Sequence, residues 1–281
     1  MIRGFITYQD KLNELRLDLS HPNNRGIAYV LVEGDTDIRL FRKTFDLTKC
    51  RVEAVPGGNV KLEECVATLS DKHKLVIGIR DADFLHLEEA PYEKNNMFLT
   101  DFHDMEMSLI YEDDILSSLL FENTDMPPSE HSNIRLSIFQ IIENVSYLRL
   151  INYKHNAEFS FEVGFQDLLS FQTNSLDLAK FFQRILAKSE NARFLNLDDL
   201  LEMIDTEKQK GNDYYQVTNG HDFFKALSAY INQSGEALIS GDKVLCITSR
   251  VTYSLAHFKK TNLYKNVRQW GESVGCEICL V

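Results

Sequence analysis

Ile27-Ala28-Tyr29-Val30-Leu31-Val32-Glu33-Gly34 and Lys74-Leu75-Val76-Ile77-Gly78-Ile79-Arg80-Asp81-Ala82-Asp83 decide the fold of this chain. Each is an apolar strand that runs out into carboxylates. A carboxylate in that position sits at the carboxyl edge of a parallel sheet, where open α/β folds bind their ligands. Three acids meeting at one edge repel one another. A hard divalent cation removes the conflict, and Mg²⁺ held by one or two carboxylates, waters and phosphate oxygens is the usual arrangement. The first expectation is a metal-dependent phosphoryl-transfer site, with Glu33, Asp81 and Asp83 as ligands to Mg²⁺ or Mn²⁺.

The sequence around these strands reads as an alternation. Leu12, Leu15 and Leu19 recur at helical spacing, so a helix is expected over 7–20, ended by His21-Pro22-Asn23-Asn24. After the strand 27–32, Gly34-Asp35-Thr36-Asp37 opens a helix expected to carry Ile38, Phe41 and Phe45 on one face. A strand at 51–55, the turn Pro56-Gly57-Gly58-Asn59, a helix over 60–70 and the strand 74–80 follow, with a fourth strand at 97–100. This β-α-β-α-β order implies a parallel sheet wound in the right-handed sense. Asp104 is placed to cap the next helix. Beyond it the patterns are helical: 131–153, 174–189, 197–210, 220–232, 242–258 and 262–272. The expected class is α/β, a sheet flanked by helices and then a mainly helical C-terminal region. The expected domains are 1–125 and 126–281, divided at Met126-Pro127-Pro128-Ser129.

Composition narrows the function. With 281 residues, 44% hydrophobic and only 5 prolines, the chain has ample core for one large domain or two smaller ones. No apolar stretch reaches the length of a membrane span, and the first eight residues lack a signal peptide's apolar core, so a cytoplasmic protein is expected. Five scattered cysteines suit a reducing compartment, and Cys276-Glu277-Ile278-Cys279 lacks the second pair that a zinc site needs. The net charge of −12 argues against coating nucleic acid by bulk electrostatics. The charge is uneven: residues 243–271 hold six basic residues and no acidic one. There Lys243, Arg250, Lys259, Lys260, Lys265 and Arg268 are interleaved with Tyr253, Phe258, Tyr264 and Trp270. Two readings stay open, a phosphate-backbone or partner surface centred on Lys259, Lys260, Lys265 and Arg268, or two packing helices with solvated lysines.

Residues two apart on an extended segment point the same way, so Asp81 and Asp83 are expected to address one ion together. Glu33, from the neighbouring strand, either binds the same ion or moves a proton as general acid or base. Glu33-Gly34 ending one strand and Asp81-Ala82-Asp83 ending another, in this order, resemble the signature of the Toprim domain of topoisomerases, bacterial primases, small nucleases and OLD-family nucleases. The likeness covers about residues 25–110. It extends further to a narrower group, the Toprim-like effector subunits (AriB) of the PARIS anti-phage defence system. The carriers are Leu99-Thr100-Asp101-Phe102-His103-Asp104-Met105-Glu106 and Gly220-His221-Asp222-Phe223-Phe224-Lys225-Ala226-Leu227.

This resemblance implies a nuclease held in check by an ABC-type ATPase partner and released on infection, with RNA, tRNA in particular, as substrate. It adds Asp104, Glu106 and Lys225 as candidate catalytic residues. Read as residues alone, Asp104 is equally a helix cap, Glu106 a first-turn acid and Lys225 part of an ordinary helix start; a lone His103 is more often structural. Two alternatives remain: a latent interaction module of the ATPase complex, and an Asp-x-Asp phosphatase with Asp81 as nucleophile, which leaves Glu33-Gly34 unexplained. A homodimer when active is a further expectation.

Overall fold

The computed structural model describes residues 6–194, 196–233 and 241–280; the start of the segment read for a signal peptide lies outside them. The chain forms two compact units, neither continuous in sequence. The first holds the described residues up to Ala82, then Pro91–Asp101, and those from Tyr253 onward; the second holds Asp83–Ala90 and the described residues of Phe102–Thr252. The proline pair at 127–128 lies inside the second unit.

The first unit is α/β. Strands β1 (Ala28–Val32), β2 (Cys50–Ala54), β3 (Val76–Arg80) and β4 (Met97–Leu99) form one parallel sheet in the order β2-β1-β3-β4. Every residue of β1 and β3 is buried, as central strands of a parallel sheet covered on both faces require. Helix α1 (Tyr8–Ser20) opens on a capping box in which Thr7 and Asp10 satisfy each other's backbone N–H groups. It places Leu12 and Leu15 in one core with Tyr29, Leu31 and the Leu62, Cys65, Val66 and Leu69 row of α3 (Gly58–Ser70). Gly78 is dictated by packing, because a side chain there would collide with Met97 and Val66.

Helix α2 (Asp35–Phe41) is shorter than its apolar spacing predicts, and Phe45 lies beyond its end. The C-terminal segment explains why. Phe45 forms a bridge with Cys279, Asp46 N–H donates to Ile278 O at 2.7 Å, and Leu280 N–H donates to Thr44 O at 3.1 Å. Phe41, Phe45 and Phe258 pack ring against ring at 5.6–6.0 Å between centroids. Tertiary pairing here overrides local helical preference.

The second unit is helical. It comprises α4 (Met105–Tyr111), α5 (Asp113–Asn123), α6 (His131–His155), α7 (Leu178–Lys188), α8 (Leu197–Lys208), α9 (Tyr214–Val217), α10 (Gly220–Gln233) and α11 (Asp242–Thr252), with a two-residue hairpin at 169–170 and 175–176. The 25-residue α6 runs through its core, where Phe139 stacks on Tyr214 at 5.1 Å and packs on Phe223 at 4.9 Å.

The helix expected over 242–258 is interrupted. Helix α11 stops at Thr252, and α12 (Leu255–Phe258) begins anew in the first unit, where Ser254 N–H donates to His257 Nδ1 at 2.9 Å. Helix α13 (Asn262–Val274) then returns along β4. Among the described residues no helix is long and apolar enough to cross a membrane.

Candidate functional site

Strand register places the first two carboxylates. Leu31 stands beside Gly78 in the β1–β3 ladder. Continuing that parallel register, Glu33 falls level with Arg80, and Asp81 follows one residue beyond. Both leave the same edge of neighbouring central strands, about 5 Å apart in the sheet's hydrogen-bonding direction. Both are half-buried. Gly34 is the residue before α2, with its N–H donating to Asp37 Oδ2 at 3.0 Å, so Glu33 stands at the strand-to-helix turn.

Thr100, which the sequence reading missed as a site residue, fixes Asp81. Its N–H donates to Arg80 O at 3.1 Å, and its hydroxyl accepts from Ala82 N–H at 2.9 Å. The peptides on either side of Asp81 are thus held by one buried residue, through its backbone N–H and its hydroxyl. Only its place at the end of β4 could have marked it. Arg80 adds a second anchor, donating from Nε to Asp81 O at 2.9 Å and from Nη1 to Glu63 Oε1 at 2.8 Å.

Asp83 departs from expectation. The extended backbone does not reach it: β3 ends at Arg80, and Asp83 has φ +50°, the left-handed region that aspartate tolerates better than most residues. The two-residue alternation that aligns side chains on a strand therefore does not govern Asp81 and Asp83. In the second unit Asp83 N–H donates to His103 O at 2.7 Å, and His103 N–H donates to Tyr215 O at 3.0 Å. His103 is buried, its ring packed on Phe84 at 4.7 Å. Burial holds its imidazole below the usual range despite the Asp83 charge.

Asp104 and Glu106 are also buried. Asp104 caps α4 through Oδ1, which accepts from Met107 N–H at 2.8 Å, and caps α10 through Oδ2, which accepts from Gly220 N–H at 2.7 Å. Burial, followed by the neighbouring Glu106 carboxylate, pushes Asp104 well above the ordinary carboxylate range, against the two N–H groups that favour its ionised form. Glu106 faces Arg250 Nη1 at 3.4 Å. Both oxygens of Asp104 are thus committed to helix caps.

Lys225 sits against Asp222 at 3.3 Å. Arg149 meets the same carboxylate at 2.5 and 3.1 Å, so two cations share one buried acid. Lys225 is half-buried and pairs within its own helix, so it is Arg149, from α6, that ties α10 into the helical unit.

The basic segment resolves into its two faces. Tyr253, Phe258, Tyr264 and Trp270 are buried in the first unit and offer no stacking surface. Lys260, Lys265 and Arg268 are exposed and Lys259 half-buried. Arg268 is engaged by Glu272 at 3.3 Å and Glu277 at 3.7 Å. Lys243 and Arg250 belong to the helical unit, so the stretch read as one surface in sequence is divided. The cysteines are free thiols, and burial pushes Cys50 and Cys279 up to about 12, as expected of packing residues.

Carboxylate oxygens such as those of Glu33 and Asp81 are hard donors, the chemistry that suits Mg²⁺ or Mn²⁺. No family model matches the chain, and no curated protein matches it.

Proposed function

We propose that the protein is a Mg²⁺-dependent phosphodiesterase that cleaves nucleic acid, RNA and tRNA foremost, as the toxic effector of an anti-phage system. An ABC-type ATPase encoded beside it restrains it in the cytoplasm. The carrying observation is the placing of Glu33 and Asp81 at one edge of the hydrogen-bonded neighbours β1 and β3. The substrate class and the ATPase partner rest on the resemblance of the motifs at Glu33-Gly34, Asp81-Ala82-Asp83, 99–106 and 220–227.

In this reading Glu33 and Asp81 hold the ion. A bound Mg²⁺ supplies charge neutralisation at the phosphate and a template for in-line displacement. Glu33, half-buried at the strand end, is also the group placed to take or return a proton. Thr100 and Arg80 keep the Asp81 backbone from drifting, which preserves the alignment that displacement needs.

The test is a nuclease assay of wild type and Glu33→Ala with Mg²⁺ titrated from zero. Cleavage should require the ion and vanish in the variant. Activity that survives chelation would end the metal mechanism.

The latent-module reading is favoured by one observation. Lys225 and both oxygens of Asp104 are engaged in internal contacts. Co-purification with an ATPase, with cleavage appearing only on release, is the result that selects it.

A further inference from the structure

A cavity of about 340 Å³ opens beside Glu33 in the first unit. That volume lies near the lower bound of small-ligand pockets, ~300 Å³. Ile38, Ala54 and Pro56 give it an apolar wall, and Lys11 and Glu53, with Glu33 and Asp35, give it its charged groups. Lys11 is buried, and its Nζ donates to Glu53 Oε2 at 2.9 Å and to Glu14 Oε1 at 3.1 Å. Burial by itself would lower the lysine's basicity, but the two carboxylates outweigh it, so Lys11 remains charged. A lysine ammonium has three donors and a carboxylate only acceptors. A donor beside acceptors complements an edge that presents an acceptor followed by donors. Of the four bases, guanine carries that edge: O6, then N1–H, then the N2 amino group. Adenine and cytosine begin with an amino donor, and uracil has a single N–H between two carbonyls.

We infer that this cavity binds a guanine base of the strand being cut, with Lys11 addressing O6 and Glu53 addressing N1–H and the amino group. The inference rests on the proposed nuclease reading, because the pocket matters to cleavage only if Glu33 belongs to the reacting site. It adds base preference to that site.

The experiment is calorimetric titration of the full chain with GMP, AMP, CMP and UMP in the presence of EDTA, so that no metal or turnover is involved. GMP should bind about tenfold or more tighter than the others, the discrimination typical of a paired base contact. Glu53→Gln, which places a donor where an acceptor is needed, should erase the preference. Ile38→Trp should fill the cavity and abolish GMP binding, with the thermal unfolding midpoint confirming that the variant is folded. A five-nucleotide single strand holding one guanine should displace GMP, and the same strand with adenine there should not.

Equal affinity for all four nucleotides, or a preference unchanged in both variants, overturns the assignment. GMP binding that the guanine strand cannot displace overturns the strand as source in favour of a free guanine nucleotide. Mg²⁺-dependent cleavage without guanine binding overturns this inference alone and leaves the nuclease intact.

Discussion

Asp104 Oδ2 accepts a hydrogen bond from Gly220 N–H at 2.7 Å, across 116 residues of sequence. With Oδ1 on Met107 N–H, one carboxylate closes the N-termini of α4 and α10, two helix ends that would otherwise bury unsatisfied donors. Gly220 is required there, since a side chain would collide with Glu106 and the Asp104 carboxylate.

Asp104→Ala strands both donors and should cost about 2–4 kcal/mol of stability in urea unfolding. Gly220→Ala should cost about 1–3 kcal/mol through overpacking. An Asp104→Ala protein as stable as wild type would remove the double-cap role.

Thr100→Val removes the acceptor for Ala82 N–H while keeping volume. The buried donor left behind should cost about 1–3 kcal/mol. Because Asp81 lies between the two gripped peptides, cleavage should fall about tenfold or more even where the protein remains folded. Thr100→Ser, which keeps the hydroxyl, should recover most of both losses.

Metal binding can be read without turnover. If Glu33 and Asp81 hold the ion, Mg²⁺ at about 100 times its Kd should stabilise the wild type by about 2.7 kcal/mol. Thermal unfolding midpoints with and without Mg²⁺ should then differ for wild type and coincide for Glu33→Ala and Asp81→Asn. A shift that persists in both variants would place the ion elsewhere.

Glu63 links Arg80, Tyr92 and Lys94. Burial alone would raise its pKa, but hydrogen bonds from Lys94, Arg80 and Tyr92 prevail and hold it below the usual carboxylate range. A depressed carboxylate contributes stability above its unfolded value, about 4.3, and loses it as pH falls through the folded value. Glu63→Gln should therefore destabilise by about 2–4 kcal/mol at pH 7, by leaving the buried Arg80 without its carboxylate. The gap to wild type should narrow as pH falls below about 4, measured by urea unfolding across that range.

Much of the first unit was legible because its signals are local. The apolar runs at 27–32 and 74–80 and the turn at Pro56-Gly57-Gly58 act within a few residues, and the strands stand where those runs place them. The edge position of Glu33 and Asp81 follows from strand ends alone. Less legible were features set by distant partners. Phe45 carries a helical spacing yet pairs with Cys279, and the basic segment keeps one charge pattern while its aromatic residues turn into a core.

What the sequence by itself determined is the α/β order, the parallel sheet and the placing of two carboxylates at its carboxyl edge, since periodicity and turn chemistry act over short range. What only the tertiary structure decided is which acids are committed elsewhere. Asp104 is tied to Gly220, Asp222 to Arg149, and the Asp83 backbone is turned out of strand geometry. A buried polar group takes whichever partner the packed chain brings to it, and that partner lies tens of residues away.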